Sequence, residues 1–148
     1  MPNQIMGLPE RFWAKTRIED AGYETLCVTW TGSKTAAGYG NVKVGGKNFY
    51  AHRLVYEARH GEIPTRLDGD RAVIDHRCRN RACVNVDHLD VVTNRENILR
   101  GDTVQAAHAA KTQCDNGHEY TPESTLLRTR HGQRVCRVCR RERQRKRQ

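Results

Sequence analysis

AVIDHRCRNRACVNVDHLDVVTNREN, residues 72–97, is the stretch on which the reading of this chain turns. It holds His76, Cys78, Cys83 and His88, and ends on Asn97. A structural zinc site takes four thiolate or imidazole ligands in a tetrahedron. Cys78, Cys83 and His88 supply three of them, and Cys27, the only cysteine upstream, is left as the fourth by elimination. His76 then stays outside the set, two residues from a metal-braced loop. Residues 72–75 read as a strand that delivers His76 to its end, and residues 89–92 as the returning strand. Thr93 and Glu96 form a capping box, so a helix starts there and runs to Arg100, closed by Gly101. Strand, pinned loop, strand, helix is a ββα unit, with Asn97 one turn into the helix and facing the first strand.

The same accounting extends downstream. Cys114, His118, Cys136 and Cys139 make a second set of three thiols and one imidazole, so two sites consume all six cysteines. An even cysteine count also suits three disulfides in a secreted framework. The first residues, MPNQIMGLPERFW, carry no apolar segment of the kind that directs export, which favours a cytoplasmic protein and metal over disulfides. Composition points the same way. Of 148 residues 36% are hydrophobic and only 6% aromatic, thin material for one large core and better suited to two small ones stapled by zinc. No apolar run reaches the roughly 18 residues of a membrane span.

The net charge of +9 sits at one end. Residues 1–127 hold 16 basic and 16 acidic side chains, whereas residues 128–148 hold ten basic ones against Glu142 alone. Such a tail gains affinity for phosphate backbones by releasing counterions. A solubilising tail, or one for RNA or an acidic protein, is the alternative.

Between these landmarks, residues 9–20 are expected to form a helix that packs Phe12 and Trp13 inward, within an N-terminal helical segment, residues 1–22. Residues 26–30 read as a strand. Residues 39–51 read as a hairpin turning at Gly45-Gly46, with Asn41, Lys43, Lys47 and Asn48 as the candidates for one face, either a ribbon of the width of a DNA major groove or an ordinary solvated sheet face. Residues 52–60 read as a helix closed by Gly61. Residues 102–113 are an Ala-rich polar connector to a second module, residues 114–148, which combines a zinc knuckle with the basic tail.

The box of His76, Cys78, Cys83, His88 and Asn97 resembles that of the HNH, or ββα-metal, endonucleases, most closely their His–Cys box branch of homing enzymes. GYGNVKV, AHRLVYEARHGEIP, DHRCRNRACVNVDHL and VTNRENILRG look like the small HNH endonucleases of bacteriophages. The likeness covers about residues 23–101. It implies an α+β fold: a zinc-stapled ββα-metal nuclease core preceded by a β-hairpin and a helix, with a small C-terminal zinc module. It also implies a metal-dependent endonuclease acting on double-stranded DNA, with two structural zinc ions and one catalytic magnesium. By that resemblance His76 is the general base and Asn97 a magnesium ligand. Asp75 is a second ligand in some branches of the family and absent in others. Asn85 braces the loop, and Arg53, with His52 beside it, holds the scissile phosphate.

The chemistry is coherent without the family. A hard cation on oxygen ligands stabilises charge on a phosphate under attack, and a neutral imidazole activates water near neutral pH. A zinc with four protein ligands has no open position for either task. A non-catalytic double-zinc DNA-binding protein is the rival reading. RNA as substrate, nicking as against double-strand cleavage, and a homodimer all stay open.

Overall fold

A computed structural model describes residues 7–128 and 133–146 and divides the chain into two compact units, Met1–Arg100 and Gly101–Gln148. Residues 1–6 of the N-terminal segment, and 129–132 and 147–148 of the basic tail, lie outside the described residues.

The first unit is organised by one buried strand. Helix α1 (Glu10–Trp13) leads into β1 (Thr16–Glu19), which pairs antiparallel with β2 (Cys27–Trp30). All four residues of β2 are buried. Its second edge takes the loop at residues 82–84: Trp30 N–H donates to Ala82 O at 2.8 Å, and Val84 N–H to Val28 O at 2.7 Å. That pairing carries Cys27 to Cys83, which elimination alone could not explain.

The helix expected over residues 9–20 is therefore shorter. It ends after one turn, where the Thr16 hydroxyl donates to Trp13 O at 2.8 Å, and residues 16–19 are strand. A fully buried strand needs hydrogen-bond partners along its length, and that tertiary demand outweighs helix propensity. Thr29 on β2 adds a side-chain tie by donating to Glu19 Oε1 at 2.7 Å.

Strands β3 (Asn41–Val44) and β4 (Lys47–Tyr50) form the expected hairpin, with Gly45 and Gly46 at φ 54° and 81° as a left-handed two-residue turn requires. Its register corrects one detail. Asn41 faces Tyr50 and Lys43 faces Asn48, so these four share a face, while Lys47 joins Val42, Val44 and Phe49 on the other. Both faces are largely exposed. Helix α2 (Ala51–His60) follows directly and buries Ala51, His52 and Val55.

Next comes a short hairpin that the sequence alone did not suggest. Strand β5 (Arg66–Leu67) turns through Asp68-Gly69, at φ 48° and 80°, into β6 (Asp70–His76). Strand β6 pairs with β7 (Leu89–Thr93) in the register His76 opposite Leu89 and Asp75 opposite Asp90. A single 3-10 turn, Val86–His88, precedes β7. Helix α3 (Asn94–Arg100) packs on β6 and β7, and the Thr93 hydroxyl caps it by accepting from Glu96 N–H at 3.0 Å.

The main core joins Phe12, Val28, Trp30, Ala51, Val55, Val84 and Val86. Gly40 lies so close to it that an added Cβ would stand 2.8 Å from the Trp30 ring and 3.0 Å from Ala51 Cβ. Gly40→Ala is accordingly expected to destabilise the first unit by about 1–3 kcal/mol, measured by urea denaturation.

In the second unit the expected connector is mostly helix, α4 (Val104–Ala110), because Thr103 caps it by accepting from Ala106 N–H at 3.0 Å. A knuckle turn at residues 114–118 follows, with Gly117 at φ 80°. Strands β8 (Thr125–Arg128) and β9 (Gln133–Cys136) pair antiparallel, and helix α5 (Arg137–Arg145) begins directly after Cys136. Arg134 stacks over Tyr120, 4.5 Å from its ring centre, and donates to the carbonyls of His108 and Ala109, joining the end of α4 to the hairpin. No helix among the described residues is long and apolar enough to cross a membrane.

Candidate functional site

Two clusters dominate the chemistry of the chain. Cys27, Cys78, Cys83 and His88, all buried, bring their ligand atoms within 4.8 Å of one another, and so do Cys114, His118, Cys136 and Cys139, of which the first two are half-buried. All six cysteines are free thiols. Four ligands about 2.3 Å from a tetrahedral zinc would lie about 3.8 Å apart. His88 Nδ1 is 3.6 Å from Cys27 Sγ and 3.6 Å from Cys83 Sγ. In the second cluster Cys114 Sγ is 3.7 Å from Cys139 Sγ and 3.5 Å from His118 Nδ1. Both clusters could hold zinc.

Surrounding groups orient the ligands. With Nδ1 of His88 turned toward the sulfurs, its Nε2–H donates to Thr25 Oγ1 at 2.6 Å, a hydrogen bond that fixes tautomer and ring angle. Asn85 braces the loop as the resemblance implied: its amide donates to Leu26 O at 3.2 Å, and its oxygen accepts from Asp87 N–H at 3.2 Å. The sulfurs interact strongly. A hydrogen bond from Cys83 brings the Cys78 thiol down to about 5, while the same contact together with burial pushes Cys83 up. In the second cluster, against the opposing effect of burial, backbone N–H groups of Asn116 and His118 bring Cys114 down to about 6.

His76 stands beside the first cluster and outside it. It closes β6, is 5% exposed, and its Nε2 lies 3.2 Å from the carbonyl of Cys83. A carbonyl only accepts, so Nε2 carries the proton and Nδ1 is the basic nitrogen. Burial lowers its proton affinity below the ordinary imidazole value and keeps the ring neutral at neutral pH.

A second histidine packs against it. His52 is 7% exposed, its ring centre lies 4.8 Å from that of His76, and Tyr39 and Tyr50 complete the group. Burial, then the charge His76 carries once protonated and that of Arg53, push His52 down to about 3. Arg53 points elsewhere. It lies in a cleft of about 570 Å³ together with Asn41, Asn48 and Tyr50 of the hairpin, and its guanidinium is 3.6 Å from Glu57. His76 does not line that cleft.

Asp75 is 3% exposed and held by arginines. Arg79 Nη1 donates to Oδ1 at 2.8 Å, and Arg100 Nη1 lies 3.5 Å from Oδ2. Asn97 is half-buried on α3, the helix that packs on β6 and also carries Arg100. Sequence reasoning missed Arg79 and Arg100, since nothing in their spacing sets them apart from other surface arginines. His52, the weaker candidate beside Arg53 for holding the phosphate, packs against His76 instead.

Comparison with known proteins bears on this arrangement. Residues 49–99 match the HNH endonuclease family. The HNH segment thus runs from the end of the hairpin through α2 to α3 and includes His76, Asp75 and Asn97. Protein 7.7 of Escherichia phage T7 is 38% identical over 71 residues, 48% of this chain and 51% of that protein. The uncharacterized gene 5.3 protein of Enterobacteria phage T3 is 43% identical over 54 residues, 36% of this chain and 48% of that one. Protein 2.8 of phage T7 is 30% identical over 94 residues, 62% of this chain and 58% of its own length. The chain spans about half the length of the curated relatives it matches. No solved structure matches it.

Proposed function

We propose that this chain is a metal-dependent DNA endonuclease in which His76 is the general base. The observation that carries the reading is His76 itself, buried at the end of β6, aligned by the Cys83 carbonyl, and left out of the four-ligand cluster beside it. Zinc in the first cluster would hold residues 78–88 rigid, so that the Cys83 carbonyl presents the same face to His76 throughout.

Asp75 and Asn97 are the protein ligands we assign to the magnesium. A carboxylate and an amide oxygen are hard donors of the type that cation takes, and the Asp75 carboxylate already attracts two guanidinium groups as stand-in cations. When bound, the cation supplies charge stabilisation for the phosphate and the departing 3′ oxygen. His76 Nδ1 takes the proton of the attacking water. Arg53, half-exposed in the cleft beside Asn41 and Asn48, binds a backbone phosphate, and the face shared by Asn41, Lys43 and Asn48 meets base edges. The supporting fit is chemical: these amide and ammonium groups are the donors that read purine edges.

Metal analysis of purified protein is expected to return two zinc ions per chain, one for each cluster. One zinc or none in folded protein would remove the bracing role assigned to the clusters.

The basic tail adds affinity in this reading. From Arg137 the chain is helical, and at 100° per residue Arg137, Arg140, Arg141 and Arg145 fall on the side of α5 opposite the buried Cys139. Replacing those four by Gln is expected to weaken DNA binding and flatten its dependence on salt, by roughly 0.9 in log–log slope for each phosphate no longer neutralised. Cleavage at saturating protein should survive. Unchanged affinity and slope, measured by fluorescence anisotropy between low and high salt, would show that α5 is not a nucleic-acid arm.

A further inference from the structure

The arginines around Asp75 do more than fill space. Arg79 has φ 58°, a left-handed conformation uncommon for a residue with a Cβ. That conformation turns its side chain back over β6, where one guanidinium nitrogen donates to Asp75 at 2.8 Å and the other to the carbonyl of Arg100 at 2.6 Å. Arg100 in turn reaches three carboxylates: Asp75 at 3.5 Å, Asp90 at 3.1 Å and Glu96 at 2.5 Å. Asp75 and Asp90 are opposite one another in the β6–β7 register, so their side chains share the face on which α3 packs. The result is three acids and two guanidiniums between the sheet and the helix that carries Asn97. The deeply buried member of this group is Asp75, whereas the Arg79 and Arg100 side chains are 48% and 36% exposed. A buried carboxylate has to be compensated, but half-exposed arginines can swing into water at little cost.

We propose that Arg79 and Arg100 are resident counter-cations of the magnesium site. They hold Asp75 while no divalent cation is bound, give it up when the cation enters, and so set the affinity of the site. This inference rests on the assignment of Asp75 and Asn97 as cation ligands. It goes beyond that assignment by naming the groups with which the cation competes. Each guanidinium within hydrogen-bond reach of the buried carboxylate opposes the incoming charge of a divalent cation, so cation binding favours their withdrawal. The competition also protects the fold: without it, metal-free protein would carry an unpaired buried carboxylate between β6 and α3.

The test is titration of the zinc-loaded full chain with MgCl₂ in the absence of DNA, by isothermal calorimetry and by the shift in thermal midpoint that magnesium produces. Arg79→Gln and Arg100→Gln are expected to bind magnesium about five- to tenfold more tightly than the unaltered chain, a modest factor because both side chains are partly exposed. Their midpoints should be lower than that of the unaltered chain without magnesium and should rise more when it is added. Arg79→Lys retains the charge and should bind magnesium like the unaltered chain, which separates competition from a packing defect. Should either Gln variant fail to fold, by zinc content and circular dichroism, the other carries the test. Unchanged or weaker magnesium binding in the folded Gln variants overturns the proposal. Asp75→Asn tells which part has failed. If it weakens binding while the Gln variants leave it unchanged, Asp75 remains a ligand and only the counter-cation role is wrong. If it binds as the unaltered chain does, the ligand assignment falls and the proposal with it.

Discussion

His76→Ala is expected to lower the cleavage rate by about 10²- to 10⁴-fold, the range for loss of a general base, while zinc content and DNA affinity stay near those of the unaltered chain. The separation follows from position. His76 contributes one hydrogen bond, to the Cys83 carbonyl, and no ligand atom to the four-residue cluster. Truncating a buried ring against His52 and Tyr39 will cost some stability, so folding has to be checked before rate. Loss of zinc, or of the fold at assay temperature, would make the residue structural. A folded, zinc-loaded variant that cleaves at the original rate would place the base elsewhere.

Cys83→Ser is expected to unfold the first unit. Cys83 is fully buried, sits in the zinc-ligand cluster, and lies in the loop that hydrogen-bonds along the second edge of β2. Zinc binding of this type is coupled to folding and worth about 10–16 kcal/mol, against a net stability of about 5–15 kcal/mol for an ordinary domain. A chain that loses most of the first term has little left to hold β2, the loop and Cys27 together. Circular dichroism should show loss of ordered structure, and the zinc content should fall from two to one, because the second cluster lies in a separate unit. A Cys83→Ser protein that keeps its fold and both metals would show that the cluster is dispensable.

These effects could be anticipated because most of the ligand spacing is local. Cys78, Cys83 and His88 lie within one loop, and the capping residue Thr93 marks the start of α3 in the sequence itself. The Gly45-Gly46 turn was legible for the same reason, since a two-residue hairpin turn calls for positive φ, which glycine adopts freely. What the sequence hid was tertiary. Residues 16–19 carry no pattern that distinguishes strand from helix until β2 is seen to need a partner. The face of Lys47 was legible in retrospect, because a two-residue turn at Gly45-Gly46 sets Lys47 opposite Val44 and away from Asn41 and Lys43. The Asp68-Gly69 turn was written in the sequence, but its flanking strand, Arg66–Leu67, is too short to show a period. Arg79 and Arg100 became site residues only when a left-handed backbone and a packed helix brought them to Asp75. Counting assigned Cys27 to the first cluster, and the fold brings it beside Cys78, Cys83 and His88 through the pairing of β2 with residues 82–84.

The central claim is that the chain cuts DNA with the aid of a divalent cation, and the rival is a zinc protein that only binds it. Incubation of the purified, zinc-loaded chain with supercoiled plasmid separates them most directly. With magnesium the plasmid should be converted to nicked or linear forms, and the same reaction with magnesium left out should leave it supercoiled. If folded protein binds the plasmid and leaves it supercoiled at every magnesium and manganese concentration, His76 is not a working general base and the nuclease reading is contradicted.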